Sequence, residues 1–180
     1  MNTQEVILVT EADEMIGTVD KMKAHTEGLL HRAFSVFIFD KNGRILLQQR
    51  SNEKYHGARL WSNTCCSHPY PDENVEEAAL RRLQEEMGFT TALSKLFEFK
   101  YKAEVENNLI EHEYDHVFIG KYDGKVNINK TEVEDYCYEE MDRMKWAIQE
   151  QPDKFTAWFK IAFPSIEAWW REHYQDGDGV

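Results

Sequence analysis

Ser67–Phe89 reads SHPYPDENVEEAALRRLQEEMGF. Pro71 and Asp72 punctuate the chain, and the pattern after them predicts a helix from about Glu73 to Met87. Asp72 or Asn74 can cap it, and Glu73, Glu76 and Glu77 suit the positive end of its dipole. Val75, Ala79, Leu83 and Met87 recur every four residues as its buried stripe. Gly88 follows at the point where a helix end calls for left-handed backbone. Arg82 and Glu86, four apart, share one face.

Strand patterns flank this helix on both sides. Val6 to Val9 is a short apolar run, and FSVFIF (Phe34 to Phe39) and RILLQQ (Arg44 to Gln49) surround Asn42-Gly43, a tight-turn signal. After the helix, strands are expected at about Leu96 to Ala103 and Ile110 to Ile119, with a weaker one near Lys125 to Ile128. The chain then turns helical, at about Glu139 to Gln149 and Phe155 to Tyr174. This order predicts an α/β (α+β) fold in which helices pack on mixed or antiparallel sheets. No repeat or flexible linker divides the 180 residues, so a single domain is expected over residues 1–174, with QDGDGV (175–180) as a tail without fixed structure. Neither a dinucleotide fingerprint nor a P-loop is present.

Apolar residues make up 42% of the chain and aromatics 13%, enough for a packed core. Acidic residues outnumber basic ones 33 to 21, which argues against nucleic-acid binding and against anionic membranes. Inside this acidic chain, Lys41 to Arg59 carries five basic residues and one acid. A local island of that kind suits a small anionic ligand, or else a solvated hairpin rim. Three cysteines, two of them adjacent, make no disulfide framework, and no stretch resembles a signal peptide or membrane span. A cytoplasmic protein is expected.

Four groups of residues can carry chemistry. Cys66 and His68 lie two apart in WSNTCCSHP (Trp61 to Pro69), so in extended chain they project to one side. Alone, such a pair is more often a small buried cysteine beside a satisfied histidine. Glu111 and Glu113 in EHEYD share a strand face with Asp115, their Cα atoms roughly 6.5 Å apart. Carboxylates that close repel unless a cation or a proton lies between them. An edge strand displaying charge is the alternative, but Val117 and Ile119 continue the same face and point it inward. His112 and His116 fall on the other face and read as surface or structural. His25 and His31, weak by themselves, complete with His68, Glu111 and Glu113 a candidate set of N/O metal ligands. The fourth group is the helix and its entry loop: Ser67, Glu73, Arg81, Arg82, Leu83, Glu85, Glu86, Gly88 and Phe89 follow the spacing S-x5-E-x7-R-R-L-x-E-E-x-G-F.

That spacing closely resembles the Nudix box, in which helix carboxylates hold Mg²⁺ against a diphosphate. Two departures stand out: Ser67 replaces the first glycine, and Arg82 replaces a glutamate, exchanging a metal ligand for a phosphate donor. Over about Val6 to Trp170 the sequence is similar to the type 1 isopentenyl-diphosphate Δ-isomerases, which have a Nudix-derived fold. GLLHRAFSVFIFDKNGRILLQQR, WSNTCCSHP, ALRRLQEEMG, EHEYDHVF and TAWF carry the resemblance in order.

The resemblance implies interconversion of isopentenyl and dimethylallyl diphosphate through a tertiary carbocation, in isoprenoid biosynthesis. It implies Cys66 and Glu113 as the proton-transfer pair, Tyr101 assisting, and Trp158 facing the hydrocarbon. It implies His25, His31, His68, Glu111 and Glu113 as ligands of one divalent ion (Mn²⁺, Zn²⁺ or Mg²⁺), and Glu86 with Cys66 at a Mg²⁺ that arrives with the diphosphate. Lys21, Arg50, Lys54 and Arg82 match diphosphate contacts, and Cys137 has no matching role. The expected partner is the small diphosphate alone, bound by a monomer or weak dimer. The competing readings are a Nudix hydrolase, against which Arg82 and the Cys66/Glu113 pair argue, and an inactive Nudix-like metal-binding module.

Overall fold

A computed structural model describes residues 4–175. Its strands are β1 (Glu5–Val9), β2 (Met15–Asp20), β3 (His31–Phe39), β4 (Ile45–Arg50), β5 (Trp61–Ser62), β6 (Cys65–Ser67), β7 (Leu93–Val105), β8 (Leu109–Lys121) and β9 (Val133–Glu139). Its α-helices are α1 (Lys21–Glu27), α2 (Val75–Met87), α3 (Met141–Glu150) and α4 (Ala157–Trp170).

β3 is the spine of the sheet. On one edge it runs parallel to β8, with His31 beside Glu113 and Ser35 beside Val117. Its other edge is shared by β1 at His31, by β6 at Phe34 to Val36 and by β4 at Ile38 and Phe39. Because side chains alternate along a strand, β3 serves two cores. Phe34, Val36 and Ile38 pack with Ala78, Ala79, Leu83 and Met87 of α2. Phe37 and Phe39 pack on the opposite face with Met141 and Met144 of α3 and with Trp158, Phe159, Phe163 and Ile166 of α4. A strand buried on both faces reads as a nearly unbroken apolar run, as FSVFIF does.

The box helix forms as expected. Asn74 is its N-cap, accepting from Glu76 N at 2.9 Å, and Gly88 ends it in the left-handed region at φ 76°. Two elements were missed and three sequence expectations are corrected. Residues 10–30 hold β2 and α1, which no periodicity announced. Lys125 to Ile128 forms no strand. Instead Asn127 N and Asn129 N donate to the Met87 and Glu86 carbonyls at 3.0 and 2.9 Å, closing the end of α2. The polar segment VEDYCYE forms β9 against β4, so α3 starts at Met141 rather than Glu139. The last helix is regular only over α4, preceded by a 3₁₀ turn at Pro152–Lys154 and followed by a π turn at Arg171–Gln175. The expected tail lies, from residue 176 on, outside the described residues. Among the described residues, no helix is long and apolar enough to cross a membrane.

Candidate active site and metal centre

The site lies on the α4 face of the sheet, where the odd-numbered residues of β3 and β8 point. His31 opens β3, directly beside Glu113 of β8. Glu111 and Glu113 are 2% and 7% exposed, so the inward reading of EHEYD holds. Asp115, next along the face, accepts from the Ser35 hydroxyl at 2.7 Å. α1 delivers His25: Asp20 caps the helix and Gly28 ends it at φ 63°, leaving His25 wholly buried. His68 follows β6.

The tautomers of two histidines are set by the backbone. His25 Nδ1 lies 2.7 Å from the Lys21 carbonyl and His31 Nδ1 lies 2.8 Å from the Leu29 carbonyl. Carbonyls only accept, so both Nδ1 atoms carry the proton and both Nε2 lone pairs face inward. His31 Nε2 is 3.2 Å from His68 Nε2, which is 2.7 Å from Glu113 Oε1. One ligand atom from each of His25, His31, His68 and Glu113 falls within 4.8 Å of the others. Glu111 Oε2 is buried with no hydrogen-bond partner. Buried, mutually repelling donors with their lone pairs converging fit a divalent metal ion, and nitrogen-plus-oxygen ligation suits Zn²⁺- and Mn²⁺-like ions.

Beside this cluster opens a cavity of about 120 Å³. Lys21, Arg50, Lys54 and Arg82 line it, as do Cys66, Tyr101, Glu113 and Trp158. Tyr101 stands opposite Glu113 in the β7–β8 ladder, and its hydroxyl donates to Glu113 Oε2 at 2.7 Å. Cys66 comes from β6, on the other side of β3 from Glu113. Burial pushes its thiol up to about 12, against the pull of Arg50, whose Nη1 is 3.9 Å from Sγ. Burial likewise raises the Tyr101 phenol well above its ordinary value. Glu113 moves the other way: burial alone would raise it, but the His31 and His68 rings set against it hold it well below the carboxylate range. Trp158 lies under the Arg50 guanidinium, 5.1 Å from ring to charge, and its indole N–H donates to Asn63 Oδ1 at 3.2 Å.

Glu86 sits apart. It is 2% exposed, accepts from Gln48 Nε2 at 2.9 Å and is paired with Arg82, so it stands behind the cavity wall. To reach a ligand it must be released by Arg82. Sequence reasoning missed Glu132, whose Oε2 pairs with Lys54 and lies 3.3 Å from Arg82 Nη2, and His56, which pairs with Glu111. A loop histidine and a loop glutamate have no periodicity to give them away. His112 and His116 do fall on the far face. His116 is buried against Asp13, and His112 Nδ1 meets the Gly28 carbonyl at 2.9 Å. All three cysteines are free thiols, and Cys137 lies in β9 with its thiol raised to about 11 by burial.

The NUDIX domain family matches residues 29–159. An isopentenyl-diphosphate Delta-isomerase of Pectobacterium atrosepticum is 46% identical over 171 residues, 95% of this chain and 96% of that protein. Isopentenyl-diphosphate Delta-isomerase 2 of Photorhabdus laumondii is 47% identical over 92% of this chain and 97% of its own length. The chain belongs to the isopentenyl-diphosphate Δ-isomerase family. A solved Deinococcus radiodurans structure superposes with TM-score 0.69 at 17% identity, covering 82% of this isomerase-family chain and 90% of the other. A MutT protein of Methanosarcina mazei gives 0.62 at 18% identity, covering 84% and 96%. At that identity the likeness is one of fold, the architecture of the NUDIX domain that the family model matches.

Proposed function

We propose that the protein interconverts isopentenyl diphosphate and dimethylallyl diphosphate, an intramolecular double-bond shift in isoprenoid biosynthesis, as a cytoplasmic monomer or weak dimer. One observation carries the reading: the Tyr101–Glu113 pair and Cys66 share a single cavity with four cationic side chains. Lys21, Arg50, Lys54 and Arg82 hold the diphosphate, and Arg82, once drawn to it, frees Glu86 toward the Mg²⁺ that accompanies the substrate. Cys66, which lines the same cavity, completes that end.

Moving the double bond takes one proton added at the terminal methylene and one removed from C2. Cys66 and Glu113, on strands flanking β3, are the two groups that exchange them, with Tyr101 relaying through its hydrogen bond to Glu113. The tertiary cation between the two steps must be kept from water, and the Trp158 face stabilises it by on the order of 2 kcal/mol. His25, His31, His68, Glu111 and Glu113 would hold a resident Mn²⁺, Zn²⁺ or Mg²⁺, whose positive charge would favour the ionised form of Glu113.

The test is a proton NMR time course of isopentenyl diphosphate with the purified protein and Mg²⁺ in D₂O. Dimethylallyl methyl signals should grow with deuterium incorporated, and Cys66→Ala and Glu113→Gln should each abolish them. Release of phosphate with no new methyl signals would replace this reading by hydrolysis. An unchanged spectrum from folded, metal-loaded protein would leave a binding module.

A further inference from the structure

Residues 51–60 leave β4, carry Lys54 into the cavity and return to β5. Apart from the Tyr55 ring, which packs against His25 and His56, polar contacts place this loop. Arg50 donates to the His56 and Gly57 carbonyls at 3.1 and 3.2 Å, Glu106 accepts from Gly57 N at 3.0 Å, and Asn107 donates to the Tyr55 carbonyl at 2.9 Å. One contact differs in kind. His56 is 4% exposed, its ring stands edge-on to Trp158 at 6.0 Å, and its Nε2 meets Glu111 Oε1. A carboxylate only accepts, so His56 Nε2 carries the proton. The same Oε1 lies 3.3 Å from His25 Nε2, whereas Oε2 is buried without a partner. His56, His25 and Glu111 thus form a second cluster of potential ligands that shares His25 with the first.

We propose that His56 is a positioning residue: by occupying Oε1 of Glu111 it orients Oε2 toward the resident ion, and it fastens the loop bearing Lys54 to the ion site. This rests on the ion site assigned above. Partners that orient a metal ligand typically contribute ten- to a hundred-fold to metal affinity. Linkage then requires reciprocity: if the ion steadies Glu111 and Glu111 steadies the loop, loading the ion must tighten binding of a diphosphate, typically by about five-fold or more.

The experiment uses the full chain, stripped of metal. Mn²⁺ binding is followed by electron paramagnetic resonance of the free ion for wild type, His56→Leu and His56→Gln. Binding of inorganic pyrophosphate is then measured calorimetrically with and without the bound ion. The expected result is Mn²⁺ affinity about ten- to a hundred-fold weaker in His56→Leu, largely restored in His56→Gln, whose amide can still donate to Glu111. Pyrophosphate should bind wild type more tightly when the ion is loaded, and that difference should shrink in His56→Leu. Wild-type Mn²⁺ affinity in His56→Leu overturns the proposal and leaves the ion site standing. Absence of Mn²⁺ uptake by wild type overturns both. Should His56→Leu fail to fold, equal pyrophosphate affinity of loaded and stripped wild type overturns the proposal alone.

Discussion

The Tyr101 hydroxyl donates to Glu113 Oε2 at 2.7 Å, while the other oxygen of the same carboxylate faces His68 Nε2 at 2.7 Å. Glu113 therefore stands between a phenol on the substrate side and the imidazoles behind it. In the proposed mechanism its two oxygens have different tasks, one toward the proton in flight and one toward the ion.

Tyr101→Phe removes the hydroxyl and keeps the ring, which packs in the α4-side core. The expected outcome is a fall in kcat of about a hundred-fold or more with KM nearly unchanged. Steady-state rates of dimethylallyl diphosphate formation check it, and a change confined to KM would assign Tyr101 to substrate binding instead.

Trp158 is expected to act through its aromatic face. Trp158→Phe should therefore stay on the order of ten-fold more active than Trp158→Val. Its indole N–H bond to Asn63 is lost in both variants, so that contact does not bias the comparison. Equal rates would reduce Trp158 to packing.

Lys21 supplies a pH dependence. Burial, with Lys54 nearby, lowers its amine from 10.5 to about 8. Below that pH it is charged and attracts the diphosphate; above it the charge is lost. kcat/KM, which reports the free enzyme, should fall as pH rises through about 8, and Lys21→Arg should move that limb out of range. The effect on folding has the opposite sign. Between about 8 and 10.5 the unfolded chain holds a proton the folded chain has released, so stability from this group rises with pH. A flat kcat/KM profile between pH 7 and 9.5 would contradict the assignment.

Gly88 tests the fold rather than the chemistry. At φ 76°, a Cβ there would lie 2.3 Å from the Asn127 carbonyl oxygen. Gly88→Ala should cost about 2 kcal/mol or more and lower the melting temperature by roughly 4–8 °C. Thermal unfolding followed by circular dichroism checks it, and an unchanged midpoint would mean the 126–129 segment moves aside at little cost.

What the sequence revealed follows from which forces are periodic. The box helix, its cap at Asp72 or Asn74 and its Gly88 end were legible because burial, capping and handedness all act locally. Glu111 and Glu113 were legible because a two-residue period survives whatever the strand pairs with. β2 was not: MIGTVD is half exposed, with a glycine in its middle, and it becomes a strand only because β1 lies beside it. β9 is as polar, and β4 makes it a strand. The reverse error at Lys125 to Ile128 has the same origin, since those backbone groups found better acceptors at the end of α2 than any strand offered. His56 and Glu132 were hidden for a related reason. Each is placed by contacts across tens of residues, and a spacing rule cannot register distant contacts.

Arg82 sets the electrical sign of one helix face. It is ringed by Glu85, Glu86 and Glu132, and its guanidinium balances them together with Arg81, which pairs Glu85, and Lys54, which pairs Glu132. With glutamate in that place, as in the Nudix box, the helix would turn a carboxylate instead of a guanidinium toward the cavity and would favour cations over an anion. In the proposed reading, one codon thus separates a surface that grips a diphosphate directly from one that reaches it only through metal, while Cys66 and Glu113, proposed to move the protons, lie on other strands and need not change with it.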